Sequence, residues 1–206
     1  MNVSVQAAPA RKSSGKREAT RRRVIDAAAA EFAEQGYHGG STRGIADRLG
    51  MKQGSLYYHF KSKEAALEEV CRVGVEEFAD GLEEILHREQ NATARLRAAV
   101  ANHLTPLLDK SDYVRVFLFE RQHLPRDRRA EVARLSRRYE ALLRWMFEDG
   151  VTAGAFPARL ESEHAVLVFI GACNMVAATY GQPTEERLRE LIDGVADLLL
   201  GGLLRR

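Results

Sequence analysis

The stretch Ser41 to Phe60 (STRGIADRLGMKQGSLYYHF) constrains the fold more than any other part of this chain. It holds two short helical patterns joined by a glycine-led turn. Thr42 is the expected N-cap of the first helix, since its hydroxyl can accept a hydrogen bond from a free amide of the opening turn. Ile45, Ala46 and Leu49 follow at helical spacing and mark one buried face. Gly50 suits the C-terminal cap, where the left-handed backbone costs glycine little. A second helix is expected from Gln53 to about His59, with Leu56 and Phe60 pointing inward at i and i+4.

Two short helices about a tight turn make a helix-turn-helix, whose second helix enters the major groove of DNA. Lys52, Gln53, Gly54 and Ser55 stand at the start of that helix, the end that approaches base edges. Gln pairs bidentately with adenine, Lys with guanine, and Ser reads less selectively. Tyr57, His59 and Lys63 carry donors for phosphate oxygens, which fix register without reading sequence. With Thr42, Arg43 and Tyr58 they make up the expected DNA-binding set. The competing reading is an ordinary helical hairpin in which Tyr57 to Phe60 is aromatic core. Turn chemistry, caps and donor placement agree with one another on the DNA reading.

The net charge of +2 conceals a separation of sign. Residues 1–63 hold 12 Lys/Arg against 5 Asp/Glu, and the remainder holds 19 against 24. A basic third on an acidic body suits a head that meets a polyanion, whereas a merely solvated surface gives the signs no reason to part by region. Residues 1–17 form a basic, aperiodic arm expected to be disordered in isolation. Arg11, Lys12, Lys16 and Arg17, with Arg21 to Arg23, either follow DNA through its phosphates or minor groove, or simply solubilise the tail. Cys71 and Cys173 are isolated in apolar patterns, and six scattered histidines lack metal-ligand spacing. No metal and no cofactor are expected. Neither a secretory leader nor an apolar run of membrane-spanning length is read, so the expected setting is soluble and cytoplasmic.

From about Thr20 the pattern is helical almost throughout. A first helix runs to about Gln35 and stops at Gly36. Ser62 is expected to cap a long fourth helix, with Leu67, Val70, Gly74, Phe78, Leu82 and Ile85 on one stripe. That helix leaves the head and enters the body, which makes it the mechanical link. Thr93 is expected to cap a fifth helix, interrupted near Pro106. A short apolar sixth spans Tyr113 to Gln122, and a seventh follows Pro125 to about Gly150. The last two run from about Glu161 to Tyr180 and from Thr184 to Leu200. The fold class is all-α: a three-helix helix-turn-helix head at 18–63 and a helical body at 64–206.

Arg22 to Ala28, Phe32 to Tyr37 and then Thr42 to Leu67 resemble the N-terminal domain of TetR-family transcriptional regulators. The family's Gly-Thr/Ser-Leu-Tyr-x-His/Tyr-Phe core appears as Gly54-Ser55-Leu56-Tyr57-Tyr58-His59-Phe60. Its Lys-Glu-x-x-Leu appears as Lys63-Glu64-Ala65-Ala66-Leu67. The match covers roughly a quarter of the chain in order and spacing. Many relatives carry Ser-Lys where this chain has Lys52-Gln53, a departure that bears on base preference rather than on docking. The resemblance implies a homodimer with small, often hydrophobic ligands bound in the body. More faintly, Phe117 to Phe156, with Arg121, Arg134, Tyr139-Glu140 and Gly150 to Phe156, is similar to members that respond to fatty-acyl or sterol-derived CoA thioesters.

The last two helices are more apolar than exposed surface helices need to be. Leu167, Gly171, Leu188, Leu191, Val195 and Leu198 are expected at a two-fold interface, where a helical pair from each subunit forms a four-helix bundle. Burial within one subunit is the alternative. His103, Leu107, Tyr113, Phe117, Tyr139, Met146, Asn174 and Met175 are the candidate ligand-binding residues, against the plainer reading of helical core. The run Arg126, Arg128, Arg129, Arg134, Arg137 and Arg138 either meets the phosphates of a CoA or is a solvated helix face. The expected function is a homodimeric repressor that binds a palindromic operator in double-stranded DNA. A small hydrophobic or acyl-CoA-type effector would shift the fourth helix and release it. The rivals are a constitutive or architectural DNA-binding protein without effector and an all-helical enzyme. No nucleophile elbow, Walker loop, His-Glu-x-x-His helix or dinucleotide glycine fingerprint supports an enzyme.

Overall fold

The computed structural model describes the backbone of residues 11–204 and the side chains of 17–203. Among the described residues ten α-helices follow one another without a strand. They are α1 (Arg11–Gly39), α2 (Thr42–Arg48), α3 (Gln53–Leu56), α4 (Lys63–Arg88) and α5 (Ala92–Leu104). Then come α6 (Pro106–Asp109), α7 (Ser111–Arg115), α8 (Arg126–Thr152), α9 (Ser162–Tyr180) and α10 (Glu185–Leu204). One π turn at Val116–Glu120 and one 3-10 turn at Arg121–His123 connect α7 toward α8, where a single helix was expected.

The first helix begins at Arg11 rather than near Thr20, so part of the arm expected to be disordered is helical. The rest of that expectation, residues 1–10, lies outside the described residues. α1 breaks at Gly36, whose φ of 66° is left-handed. Two caps differ from expectation by one or two residues. Ser41, not Thr42, caps α2, its Oγ accepting from the Gly44 amide at 2.9 Å. Asn91, not Thr93, caps α5 by accepting from Ala94 N at 2.9 Å. In both cases the capping side chain belongs to the residue whose backbone is still extended, as the geometry of an N-cap requires. Ser62 caps α4 as expected. α3 closes at Leu56, earlier than expected, while Leu56 and Phe60 are both buried.

Two apolar cores organise the molecule. The body core gathers Leu82, Leu96, Leu104, Leu143, Phe147 and Phe169. The second joins Val24, Ala28, Phe32, Ile45, Leu56 and Phe60 of the head to Leu67 and Val70 of α4, and also to Val116, Leu124 and Val132. Each large side chain so buried contributes about 1.5–3 kcal/mol. The head's core therefore continues past Lys63, and α4 runs through both cores while packing along α8. α9 is long and apolar enough to cross a membrane, contrary to the expectation that no segment is. It buries Phe169, Cys173 and Ala177 against the body and leaves Leu167, Val168 and Met175 exposed.

Candidate DNA-reading head and effector cavity

Glu31 of α1 holds α2 in place. Its buried carboxylate accepts from Ser41 N at 3.2 Å and from Arg48 Nε at 2.9 Å, at the amide end of α2, where negative charge is favoured. Arg48 also chelates Glu34, at 2.6 and 3.1 Å, and this pairing draws the Glu34 carboxyl below its ordinary range. Gly44 leaves room for this approach, since a Cβ there would lie 2.1 Å from Glu31 Oε1 and the carboxylate would have to shift. Gly50, at φ 63°, turns the chain into α3, and Gln53 Nε2 donates to Thr42 Oγ1 at 2.9 Å across the two helix starts.

With α2 and α3 so fixed, Arg43, Lys52, Gln53, Gly54, Ser55, Tyr57 and Tyr58 are exposed, Tyr58 to 92%. Thr42 and His59 are half-buried beside them. A Cβ at Gly54 would meet nothing within 4 Å, so packing inside the protein gives no reason for bare backbone at the tip of α3. Lys63, expected at phosphates, donates from its ammonium to His38 O at 3.3 Å and lies 4.5 Å over the Tyr37 ring, beside the break in α1. Arg21 and Arg22, expected near phosphates, are ion-paired instead with Glu69 and Glu77 of α4.

A cavity of about 520 Å³ lies among α4, α8, α9 and the Val116–His123 segment. Val75, Phe78, Phe117, Leu118, Val132 and Ile170 give it apolar walls, and exposed Arg121, Gln122, Arg137 and Glu140 mark its open side. Buried His103 and Tyr139, with half-buried Asn174, supply the polar part of the wall. The His103 Nδ1 is 2.8 Å from the Tyr139 hydroxyl, and Nε2 is 3.2 Å from Asn174 Oδ1. Burial pushes the His103 pKa down to about 4, which leaves the ring neutral at pH 7.

Most of the arginine run has other duties. Arg128, Arg134 and Arg138 pair with Glu68, Glu131 and the Asp80/Glu83 couple. Arg129 borders the cavity but donates to the carbonyls of Leu124 and Gln122 at 2.6 and 2.7 Å. Arg121 and Arg137 line the cavity and meet no carboxylate among the described residues. Arg121 rests 4.5 Å over the Phe117 ring.

Of the candidate ligand residues, the structure brings His103, Phe117, Tyr139 and Asn174 to this cavity. Leu107 and Met146 pack inside the body core instead. The Tyr113 hydroxyl donates to Asp26 at 2.6 Å, tying α7 to α1, and its ring borders a separate cleft between α4 and α5. Met175 is exposed on α9. Helical spacing marks an inward face without telling which inward residue borders a void. Phe78 was legible on the α4 stripe, but nothing local marked it as a wall.

The cavity segment also grips the head. Glu120 Oε2 accepts from Tyr37 N at 2.8 Å, immediately beyond Gly36, and the His123 ring stacks 5.3 Å from that of Tyr37. Arg115 Nε donates to Ala33 O at 2.9 Å, and the Tyr37 hydroxyl donates to Glu64 at the start of α4.

Among the expected interface residues, Leu167, Gly171 and Leu198 are exposed, Leu198 to 79%, and Leu191 and Val195 are half-buried. Leu188 is not on that face. It is buried in the body core, because α10 turns it inward where it packs on α5. Val168 and Met175 extend the exposed apolar face.

Residues 24–70 match the family described as bacterial regulatory proteins, tetR family, and residues 89–203 match the Tetracyclin repressor-like C-terminal domain. The HTH-type transcriptional repressor KstR2 of Rhodococcus jostii (strain RHA1) is 31% identical over 158 residues, which is 76% of this chain and 77% of that protein. The fold is shared with the regulator FadR from Bacillus subtilis in complex with stearoyl-CoA, at TM-score 0.76 and 23% identity over 88% of this chain and 98% of that one. AibR, in complex with isovaleryl coenzyme A and operator DNA, superposes at TM-score 0.77 and 22% identity over 87% and 97%.

Proposed function

Since the chain belongs to the TetR family of transcriptional regulators, we propose that it is a homodimeric repressor that leaves its operator when an acyl-CoA enters the body cavity. The observation that carries this reading is the make-up of the cavity. Its walls are mostly apolar, and Arg121 and Arg137 stand at its open side, beside Glu140, without an ion pair among the described residues. Guanidinium forks suit phosphate oxygens, so the diphosphate of CoA has a place outside while the thioester chain lies within. FadR and AibR were each solved with a CoA thioester.

In this reading the exposed face of Leu167, Gly171 and Leu198 meets its copy across a two-fold axis, and the two heads address two half-sites. Lys52, Gln53 and Ser55 approach base edges, while Tyr57, Tyr58 and His59 hold phosphates. Such a protein works in the cytoplasm, where DNA and CoA thioesters meet. Effector pressing on Phe78 moves α4, and pressing on Phe117 and Leu118 moves the segment whose Glu120 holds Tyr37. Release requires that the effector bind the DNA-incompetent arrangement more tightly. A hundredfold change in operator affinity corresponds to about 2.7 kcal/mol of coupling.

Selection of bound DNA from a random pool, followed by titration of the selected site with and without hexadecanoyl-CoA and shorter thioesters, tests the proposal. A palindrome is expected, with its Kd raised at least about tenfold by one or more thioesters. The paired substitutions Arg121→Ala and Arg137→Ala should abolish that response and leave operator affinity in place. Uniform DNA coverage, or a Kd indifferent to every thioester, overturns the assignment.

A further inference from the structure

We propose that the acyl group of the effector carries an acceptor oxygen, a ketone in the simplest case, which hydrogen-bonds to the amide nitrogen of Asn174 inside the cavity. This rests on the reading of that cavity as the acyl-CoA site. A wall shaped for plain hydrocarbon has no use for buried polar groups, each of which gives up water and must find another partner. Here buried His103 and Tyr139 and half-buried Asn174 stand together, contributed by α5, α8 and α9.

Their mutual bonds fix a direction. Asn174 Oδ1 faces His103 Nε2 at 3.2 Å, so that nitrogen carries the proton and donates. Nδ1 is then an acceptor, and the Tyr139 hydroxyl donates to it at 2.8 Å. Phe78 stacks on the imidazole at 5.0 Å and Phe169 meets it edge-on at 5.9 Å, which holds the ring plane. The imidazole is thereby satisfied on both sides. The oxygen of Asn174 is engaged, and its NH2 group has no partner among the described residues. The chain of bonds from Tyr139 through His103 thus ends in a donor at the cavity wall. Tyr139 and His103 act as positioning residues, and Asn174 makes the contact. A saturated chain lying there strips water from that donor and returns nothing, whereas a carbonyl oxygen accepts from it.

Calorimetric titration of the full-length protein with decanoyl-CoA, and with oxodecanoyl-CoAs whose ketone is moved stepwise along the chain, tests this. At least one ketone isomer is expected to bind about tenfold more tightly than decanoyl-CoA, the size of one well-made hydrogen bond. Asn174→Leu should erase the preference while decanoyl-CoA binds as well or better. Asn174→Asp keeps the shape but replaces the donor with an acceptor, and it should reject the ketone even if the leucine variant fails to fold. Equal or weaker binding of every ketone isomer, or a preference that survives both substitutions, overturns the inference. Failure of all the thioesters to bind instead overturns the effector reading beneath it.

Discussion

Glu120 accepts the backbone N–H of Tyr37 at 2.8 Å, which sets a carboxylate from the cavity segment against the first residue beyond the Gly36 break. Leu118 and Arg121, on either side of Glu120, line the cavity, while Tyr37 reaches Glu64 at the start of α4. A π turn at this place widens the backbone and is common where a helix serves a function. Glu120→Ala should leave acyl-CoA affinity within about threefold while cutting the effect of acyl-CoA on operator Kd by at least about tenfold. Calorimetry and DNA titration on the same preparation measure both. A full effector response in this variant would remove Glu120 from the link.

Gly44 and Glu31 should behave as one unit. Gly44→Ala forces Glu31 off Ser41 and Arg48, with an expected loss of about 1–3 kcal/mol in denaturant unfolding. In a Glu31→Ala background the same change should cost almost nothing, because the clash is gone. Additive losses would show that Gly44 is needed for some other reason.

Gly54 offers the opposite contrast. Its missing side chain touches nothing, so Gly54→Ala should leave stability unchanged or raise it by up to about 1 kcal/mol through helix propensity. Operator affinity should nonetheless fall at least about tenfold, since in the proposed docking the new methyl would stand where DNA comes closest. Undiminished affinity would show that the tip of α3 lies away from the bases.

The exposed apolar face of α9 and α10 predicts the behaviour of Leu198→Glu. The side chain is 79% exposed in the single chain, so the fold should survive and thermal unfolding of dilute protein should change little. Sedimentation should show monomer in place of dimer, with operator binding lost in parallel. A stable dimer in this variant would place the two-fold contact elsewhere.

His103 makes stability depend on pH with a definite sign. Its pKa falls from 6.5 in the unfolded chain to about 4 in the fold, so between these values the unfolded state binds more protons. The stability tied to this ring is present above pH 6.5 and is lost as pH falls through 4. The loss amounts at most to about 3 kcal/mol. Denaturant unfolding of the native protein and of His103→Gln across that window should show a steeper acid decline for the native protein. Parallel slopes would mean the ring titrates normally.

Sequence patterns located the head well because its signals are local. Cap, turn glycine and inward spacing lie within a few residues of one another, and Gly50, Leu56, Phe60 and Ser62 stand where those signals put them. The misplaced caps show the limit of locality: Ser41 and Thr42 are both competent, and the choice follows from Glu31, ten residues away, taking the Ser41 amide. The cavity was half legible. His103 and Tyr139 were visible as chemistry, but Met146, two turns along α8 from Tyr139, and Leu107, in α6 just beyond the end of α5, pack into the body core instead. Glu120 carried no signal at all, since its role comes from meeting Tyr37 across 83 positions of sequence.

The core that reaches from Phe32 through Val70 to Leu124 and Val132 bears on how this protein can be recombined. A chimera that cut the reader away after Lys63 would strand Leu56 and Phe60 against solvent. A working graft must bring along the opening turns of α4 and a recipient surface shaped like the Val116–Val132 stretch. Operator specificity is therefore portable only between bodies that present the same seat, and the two halves of such a regulator are bound to diversify together.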